Sequence, residues 1–290
     1  MTEADDRRMA NETKTLLDGL CFPEGPRWHE GKLWFSDMHA KTVVRVGLDG
    51  RAETVVEVKE SPSGLGWLPD GRLLVVSMND RKLLRQERDG RLVEHADLSQ
   101  IADFHTNDMV VDRHGRAYVG NFGFDLIAGG AQKTTKLALV QPDGRASVAA
   151  TEVAFPNGCV ITPDGRTLIL AESMAARLTA FDVADDGSLS NRRVFAQLEG
   201  AIPDGICLDA EGAVWVASPT GNECLRVHEG GRVSARVKAT ALTYACMLGG
   251  PERKQLFICT SSTHDPAKCV VEKTGRIEVA DVEVPGAGWP

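Results

Sequence analysis

Six segments of this 290-residue chain repeat one plan, and that repeat limits the fold more than any other feature. In each, a short apolar run leads into a tight turn and then an apolar strand. The segments are FPEGPRWHEGKLWFSD from Phe22, SPSGLGWLPDGRLLVVSM from Ser61, HTNDMVVDRHGRAYVGN from His105, FPNGCVITPDGRTLILAES from Phe155, IPDGICLDAEGAVWVAS from Ile202 and YACMLGGPERKQLFICTS from Tyr244. Aligned on one leading position, the equivalent residues are Glu24, Ser63, Asn107, Asn157, Asp204 and Ala245, separated by 39, 44, 50, 47 and 41 residues. A period of roughly 40–50 residues with β-rich units is what a four-stranded propeller blade requires. The expected fold class is therefore all-β, a six-bladed β-propeller. A ring running from Phe22 to about Ser261 leaves no residues for a second core, so residues 13–290 read as one domain and the first 12 as a disordered tail.

The strands and turns agree with this period. Leu33-Trp34-Phe35, Leu73-Leu74-Val75-Val76, Ala117-Tyr118-Val119, Leu168-Ile169-Leu170, Val214-Trp215-Val216 and Leu256-Phe257-Ile258 are apolar runs rich in β-branched and aromatic residues. Glu30-Gly31, Asp70-Gly71, His114-Gly115, Asp164-Gly165 and Glu211-Gly212 supply the hairpin turns, and the sixth unit has Pro251-Glu252-Arg253-Lys254 instead. No stretch of 12 or more residues carries a helical period. Thr13 to Leu20 is expected to add a strand to the last blade, which joins the two ends and removes exposed edges.

Composition narrows the function. A net charge of −8 and a pI near 5.4 repel nucleic acid and anionic membranes over most of the surface, so the expected partner is a small-molecule substrate, with no nucleic acid and no membrane. No run approaches the roughly 18 apolar residues of a membrane span, and the start MTEADDRRMANETK is charged where an export signal is apolar. The seven Cys are odd in number, scattered and free of CxxC, which suggests neither a disulfide framework nor a zinc ribbon. A reducing cytoplasm fits these features. Oligomeric state leaves no trace in the sequence.

The chemistry sits at the leading position. In a propeller, equivalent positions converge at one end of the central channel, so Glu24, Asn107, Asn157 and Asp204 are candidate ligands of one metal ion. Two carboxylates balance a divalent cation, and two amide oxygens complete a hard donor set. Ca2+, which takes six to eight oxygens, is placed first and Mg2+ or Mn2+ behind it; Zn2+ ordinarily prefers His and Cys, which are absent from these positions. The competing reading is that Pro203-Asp204-Gly205 is a plain turn, like Pro69-Asp70-Gly71, Pro142-Asp143-Gly144 and Pro163-Asp164-Gly165. Register separates them. Asp164 follows Asn157 by seven residues and fills the hairpin slot, whereas Asp204 precedes its own hairpin, Glu211-Gly212, by seven.

Other positions are weaker candidates. Asp108 either hydrogen-bonds a metal ligand or caps a turn. His105, two residues before Asn107, is a candidate substrate contact at the mouth, as are Asn121 and Glu172 near the far ends of the inner strands; the alternative for Asn121, Glu172 and Asp37 is that they only solvate the outlet. His29, His39, His114 and His264 read as ordinary surface or packed residues. Gly64-Leu65-Gly66 and Gly129-Gly130 lack the strand-to-helix setting of a nucleotide fingerprint.

FPEGPRW in the first unit, the NDM of the third, FPNG in the fourth, and PDG followed by an acidic residue, Gly and Val-Trp-Val-Ala in the fifth resemble the SMP-30/gluconolactonase/LRE-like family of six-bladed propellers. The resemblance runs from about residue 16 onward. It implies a divalent metal, commonly calcium, held by a Glu, two Asn and an Asp, which match Glu24, Asn107, Asn157 and Asp204. It also implies a metal-dependent lactonase in which Asp204 is the catalytic base toward water. Related propellers hydrolyse organophosphates, so a phosphotriesterase or esterase is one alternative, and a metal-stabilised binding propeller without catalysis is another. Sugar-lactonase members often carry Arg where this chain has His105, which weakens the transfer of sugar specificity.

Overall fold

The structure is a computed structural model that describes residues 12–287. The expected disordered tail falls almost wholly outside the described residues. A leading strand β1 (Lys14–Leu20) precedes six sheets of four antiparallel strands each. Blade one takes β2 (Pro23–His29), β3 (Lys32–Asp37), β4 (Thr42–Val46) and β5 (Ala52–Glu57). Blade two takes β6 (Pro62–Trp67), β7 (Leu73–Ser77), β8 (Lys82–Gln86) and β9 (Leu92–Asp97), and blade three takes β10 (Thr106–Val111), β11 (Ala117–Asn121), β12 (Thr135–Val140) and β13 (Ala146–Val153). Blade four is β14 (Pro156–Ile161), β15 (Thr167–Glu172), β16 (Arg177–Val183) and β17 (Leu189–Gln197); blade five is β18 (Ile206–Leu208), β19 (Val214–Ser218), β20 (Glu223–Val227) and β21 (Val233–Lys238). Blade six joins β22 (Leu242–Gly249), β23 (Gln255–Ser261) and β24 (Gly275–Asp281) to β1, whose Lys14 pairs with Val279 and Leu20 with Gly275. The N-terminal segment thus closes the ring on the last blade.

Burial falls from the inside of each blade outward. Second strands such as β7 and β19 are buried at every position because both faces lie against neighbouring blades, while outermost strands such as β5 and β13 keep one face in water. The five expected hairpin glycines all adopt positive φ, from 74° to 83°. The seam between blades six and one is typical of the packing. Trp28 stacks on Phe257 at 5.3 Å and 17°, and the bare Cα of Gly249 makes room for the indole, which would stand 2.5 Å from a Cβ there. One short helix, α1 (Pro266–Glu272), lies between β23 and β24; Asp265 caps it by accepting from the amides of Ala267 and Lys268. No helix among the described residues is long and apolar enough to cross a membrane.

Candidate metal centre

The inner strands share one irregularity. Between Glu24 and Arg27 the inner strand spends three residues against two on β3, and the same extra residue recurs between Pro62 and Leu65, Thr106 and Met109, Pro156 and Cys159, and Thr243 and Ala245. A bulge bends the strand and re-aims the side chain beside it. In blade five the ladder begins only at Ile206, after Asp204-Gly205. The leading position therefore lies at the break in each inner strand, at the end where the chain enters the ring. Close approach of neighbouring blades is needed there. A Cβ on Gly158 would stand 2.6 Å from the Ile206 nitrogen, and one on Gly205 would stand 2.4 Å from the Ala245 Cβ.

Several donors meet at this end. The Asn157 amide nitrogen donates to Asp204 Oδ1, and also to Ser173 Oγ at 3.2 Å; Ser173 in turn donates to the Pro203 carbonyl at 2.7 Å. Glu24 is buried and accepts from the Gly25 amide at 3.0 Å. Burial raises its pKa well above the carboxylate range, and the nearby Asp204 charge raises it further. Asp204 keeps part of its surface at the mouth, yet its carboxyl is enclosed enough that burial is the main cause of a pKa pushed up to about 8; the Asn157 bond opposes that shift and Asp108 adds to it. Asp204 is thus distinct from the turn aspartates. Asp164 accepts from Thr162 Oγ1 and the Arg166 amide, and in blade five the turn work falls to Asp209, which accepts from the Glu211 and Ala213 amides.

Asp108 forms a buried ion pair with Arg27, 2.7 Å from guanidinium to Oδ1, linking blades one and three. Arg27 also donates to the carbonyls of Pro26 and Met109, which fixes it as a floor beneath the carboxylates. Sequence reading missed Arg27, Ser173 and Tyr244; the first two act through partners 81 and 16 residues away, which no local pattern reveals. Beyond Arg27 a cavity of about 20 Å³, lined among others by Val110, Ile161, Ile206 and Leu248, has room for about one water.

The donor set suits a divalent cation. Glu24 and Asp108 lie near the Arg27 guanidinium, which pairs with Asp108, and Asp204 lies near both carboxylates, so among the described residues full ionisation of the three leaves two negative charges beyond that one ion pair. The Asn107 amide nitrogen is buried and has no hydrogen-bond partner; because amide N and O interchange by a half-turn, that vacancy is satisfied if the carbonyl oxygen occupies it and faces a cation. Among the described residues no three His, Cys, Asp or Glu side chains form a metal site, so the set reaches four donors only through its two Asn.

The remaining candidates lie elsewhere. Asn121, 1% exposed, donates to the Lys136 carbonyl and accepts from the Gly123 amide and Thr135 Oγ1; it pins the loop after β11. Glu172, wholly buried, is held by the Ala154 amide, Thr179 Oγ1, Arg177 and Arg192 within blade four. Asp37 likewise accepts from the amides of Cys21 and Phe22. All three spend these bonds on fastening loops to their own blades. His105 is half-buried at the mouth, stacked on Phe104 at 4.1 Å, and burial lowers its pKa.

Comparison with known proteins agrees with this architecture. Residues 22–262 match the model of the SMP-30/gluconolactonase/LRE-like region. Regucalcin of Xenopus laevis is 27% identical over 275 residues, covering 91% of this chain and 92% of its own. The crystal structure of the calcium-binding protein regucalcin from Agrobacterium tumefaciens superposes with a TM-score of 0.82 at 22% identity, covering 97% of each chain. A gluconolactonase from Xanthomonas campestris gives 0.77 at 23% identity, covering 98% of this chain and 94% of the other; at these identities the likeness is one of fold. The chain belongs to the SMP-30/gluconolactonase/LRE-like family.

Proposed function

We propose that this chain is a divalent-metal-dependent hydrolase that opens a lactone ring, with Glu24, Asn107, Asn157 and Asp204 holding one cation, Ca2+ in first place. The observation that carries the reading is the pair of enclosed carboxylates, Glu24 and Asp204, both raised by burial, with Asp204 acting on Glu24 and the nearby Arg27 already paired with Asp108. Membership of a family that includes gluconolactonase supports the reaction class. A bound divalent cation supplies Lewis acidity toward a carbonyl oxygen.

The chain's own residues supply the rest. Asn157 fixes Asp204 through Oδ1, which leaves Oδ2 to take a proton from the water that adds to the lactone carbonyl carbon. The water oxygen bonds to the carbonyl carbon as its proton passes to Asp204, the ring C–O bond then breaks, and the departing alkoxide takes that proton from Asp204, giving the open hydroxy acid. Arg27, tied to Asp108, neutralises that carboxylate and holds it in place beside Glu24. The test is hydrolysis of sugar, aliphatic and aromatic lactones by chelated protein resupplied with Ca2+, Mn2+, Mg2+ or Zn2+. Turnover restored by one of these ions and lost by about 10²-fold or more in Asp204→Asn supports the reading. Turnover of organophosphates or acyclic esters alone, or none with any ion, refutes it.

A further inference from the structure

Apolar side chains gather around the mouth on blades one to four. Two positions per blade face one another there: the residue two before the leading position and the residue just after the second strand. Backbone bonds tie them together, Met38 N to Phe22 O at 2.9 Å, Met78 N to Ser61 O at 2.8 Å, Phe122 N to His105 O at 2.9 Å and Ser173 N to Phe155 O at 3.2 Å. Phe22, Met38, Met78, Tyr244 and Cys269 form one buried cluster with Phe122 packed against it, so blades six, one, two and three share a continuous apolar arc. Ring contacts extend it. Tyr244 meets Phe22 edge-on at 4.6 Å, and Phe122 stacks on Phe155 of blade four at 4.7 Å.

The hydroxyls at this level are already in use. Thr106 Oγ1 donates to the carbonyls of Ser77 and Met78, Ser173 to Pro203, and Thr243 to Ser218 and Glu223. The Tyr244 hydroxyl differs from these: it is buried without a partner in a residue 5% exposed, and both Asp204 and Glu24 act on it electrostatically. An arc of this kind offers mainly van der Waals surface and few polar partners. Each hydroxyl of a sugar brought against it without a partner weakens binding by roughly five- to a hundredfold. Each methylene of an alkyl group gains about fourfold.

We propose that this arc, with Met38 and Met78 as its movable members and the Tyr244 hydroxyl as a buried donor without a protein partner, selects lactones bearing an alkyl or aryl substituent over polyhydroxylated ones. Methionine is unbranched and turns about three soft torsions, so Met38 and Met78 swing aside to admit a flat or flexible apolar group. The inference rests on the lactonase reading and names its substrate class.

The test is a ladder of δ-lactones of increasing alkyl chain, compared with D-glucono-δ-lactone, at saturating cation. The expected result is kcat/KM rising about fourfold per methylene until the arc is filled, with the sugar lactone at least tenfold below the alkyl lactone of equal size. Met78→Gln and Met38→Gln, near-isosteric and checked for folding by circular dichroism, should each flatten the ladder; the wild-type ladder stands on its own if either fails to fold. A flat ladder, or a sugar lactone preferred over the alkyl ones, overturns the inference while leaving the hydrolase reading intact. If no lactone turns over, the hydrolase reading fails, and the inference is decided by calorimetric binding of the corresponding non-hydrolysable lactams. Affinity that grows with chain length upholds it, and a flat series or tighter binding of the gluconolactam overturns it.

Discussion

Without the proposed cation this protein should lose stability as the pH rises, and the effect follows from Asp204. Its folded-state pKa is raised from 3.8 to about 8, and that of Glu24 is raised as well, so the folded chain holds a proton that the unfolded chain has released. Stability then falls with increasing pH throughout the interval between the unfolded and folded values. The slope for one proton is about 1.4 kcal/mol per pH unit. From pH 6 to 7.5 the ceiling is about 2 kcal/mol, and roughly half of that once the water-facing side of Asp204 is allowed for. This lowers the melting temperature by about 2–4 °C for a chain of this size. Buried imidazoles act in the opposite sense. His39 is lowered to about 4, with His29, His95 and His105 also lowered, and these groups add stability as pH rises toward their unfolded value. Subtracting the melting curve of Asp204→Asn cancels them. The assay is differential scanning calorimetry in chelator across pH 6–7.5, repeated with Ca2+ at about 100 times its dissociation constant, which should add about 2.7 kcal/mol or roughly 5–10 °C and erase the slope. Identical slopes in wild type and Asp204→Asn, or no gain from any divalent ion at millimolar concentration, would refute the reasoning.

Further outcomes are expected from single changes. Arg27→Met leaves Asp108 buried without its partner and should destabilise the chain by about 3–5 kcal/mol in urea unfolding, more than Asp108→Asn with Arg27 retained. Gly205→Ala places a Cβ 2.4 Å from that of Ala245, forces the start of β18 outward with Asp204, and should weaken cation binding by about tenfold or more in titration calorimetry. Tyr244→Phe deletes a buried hydroxyl without a partner, so stability should hold or rise by up to about 1 kcal/mol while kcat/KM falls. Gly249→Ala pushes on the Trp28 ring and should cost about 1–3 kcal/mol of stability, leaving cation affinity unchanged.

The ring was legible because the second strands are buried on both faces and read as unbroken apolar runs, with a glycine turn ahead of five of the six. Pairing of β1 with β24 was legible too, since a closed ring must match its two ends. Helix α1 was not foreseen. It has only seven residues, too few to show a period, and its one sequence signal is Asp265-Pro266 at the cap. The roles of Asn121 and Glu172 were hidden for a different reason. A polar residue at the end of a second strand reads the same whether it faces the channel or turns back to a loop, and here the Gly123 and Ala154 amides draw both side chains back.

At the leading position, the sequence shows which residues are equivalent but not what the backbone needs from them. Blades two and six answer that. They carry Ser63 and Ala245 there, with the same bulge in β6 and β22 as in the blades that carry Glu24, Asn107 and Asn157. The bulge therefore requires no oxygen donor, and alanine meets its steric demand. Placing carboxylates at two of the remaining positions works against folding in the cation-free chain, because burial raises the pKa of both Glu24 and Asp204, with Asp204 adding to the first shift and Asp108 to the second. Hence the four donors are explained by neither turn chemistry nor packing, which is the pattern expected if the proposed cation offsets their burial. Replacing both Glu24 and Asp204 by their amides should accordingly raise the stability of the chelated protein and abolish its response to divalent ions, and a double variant that melts lower than wild type in chelator would break this chain of reasoning.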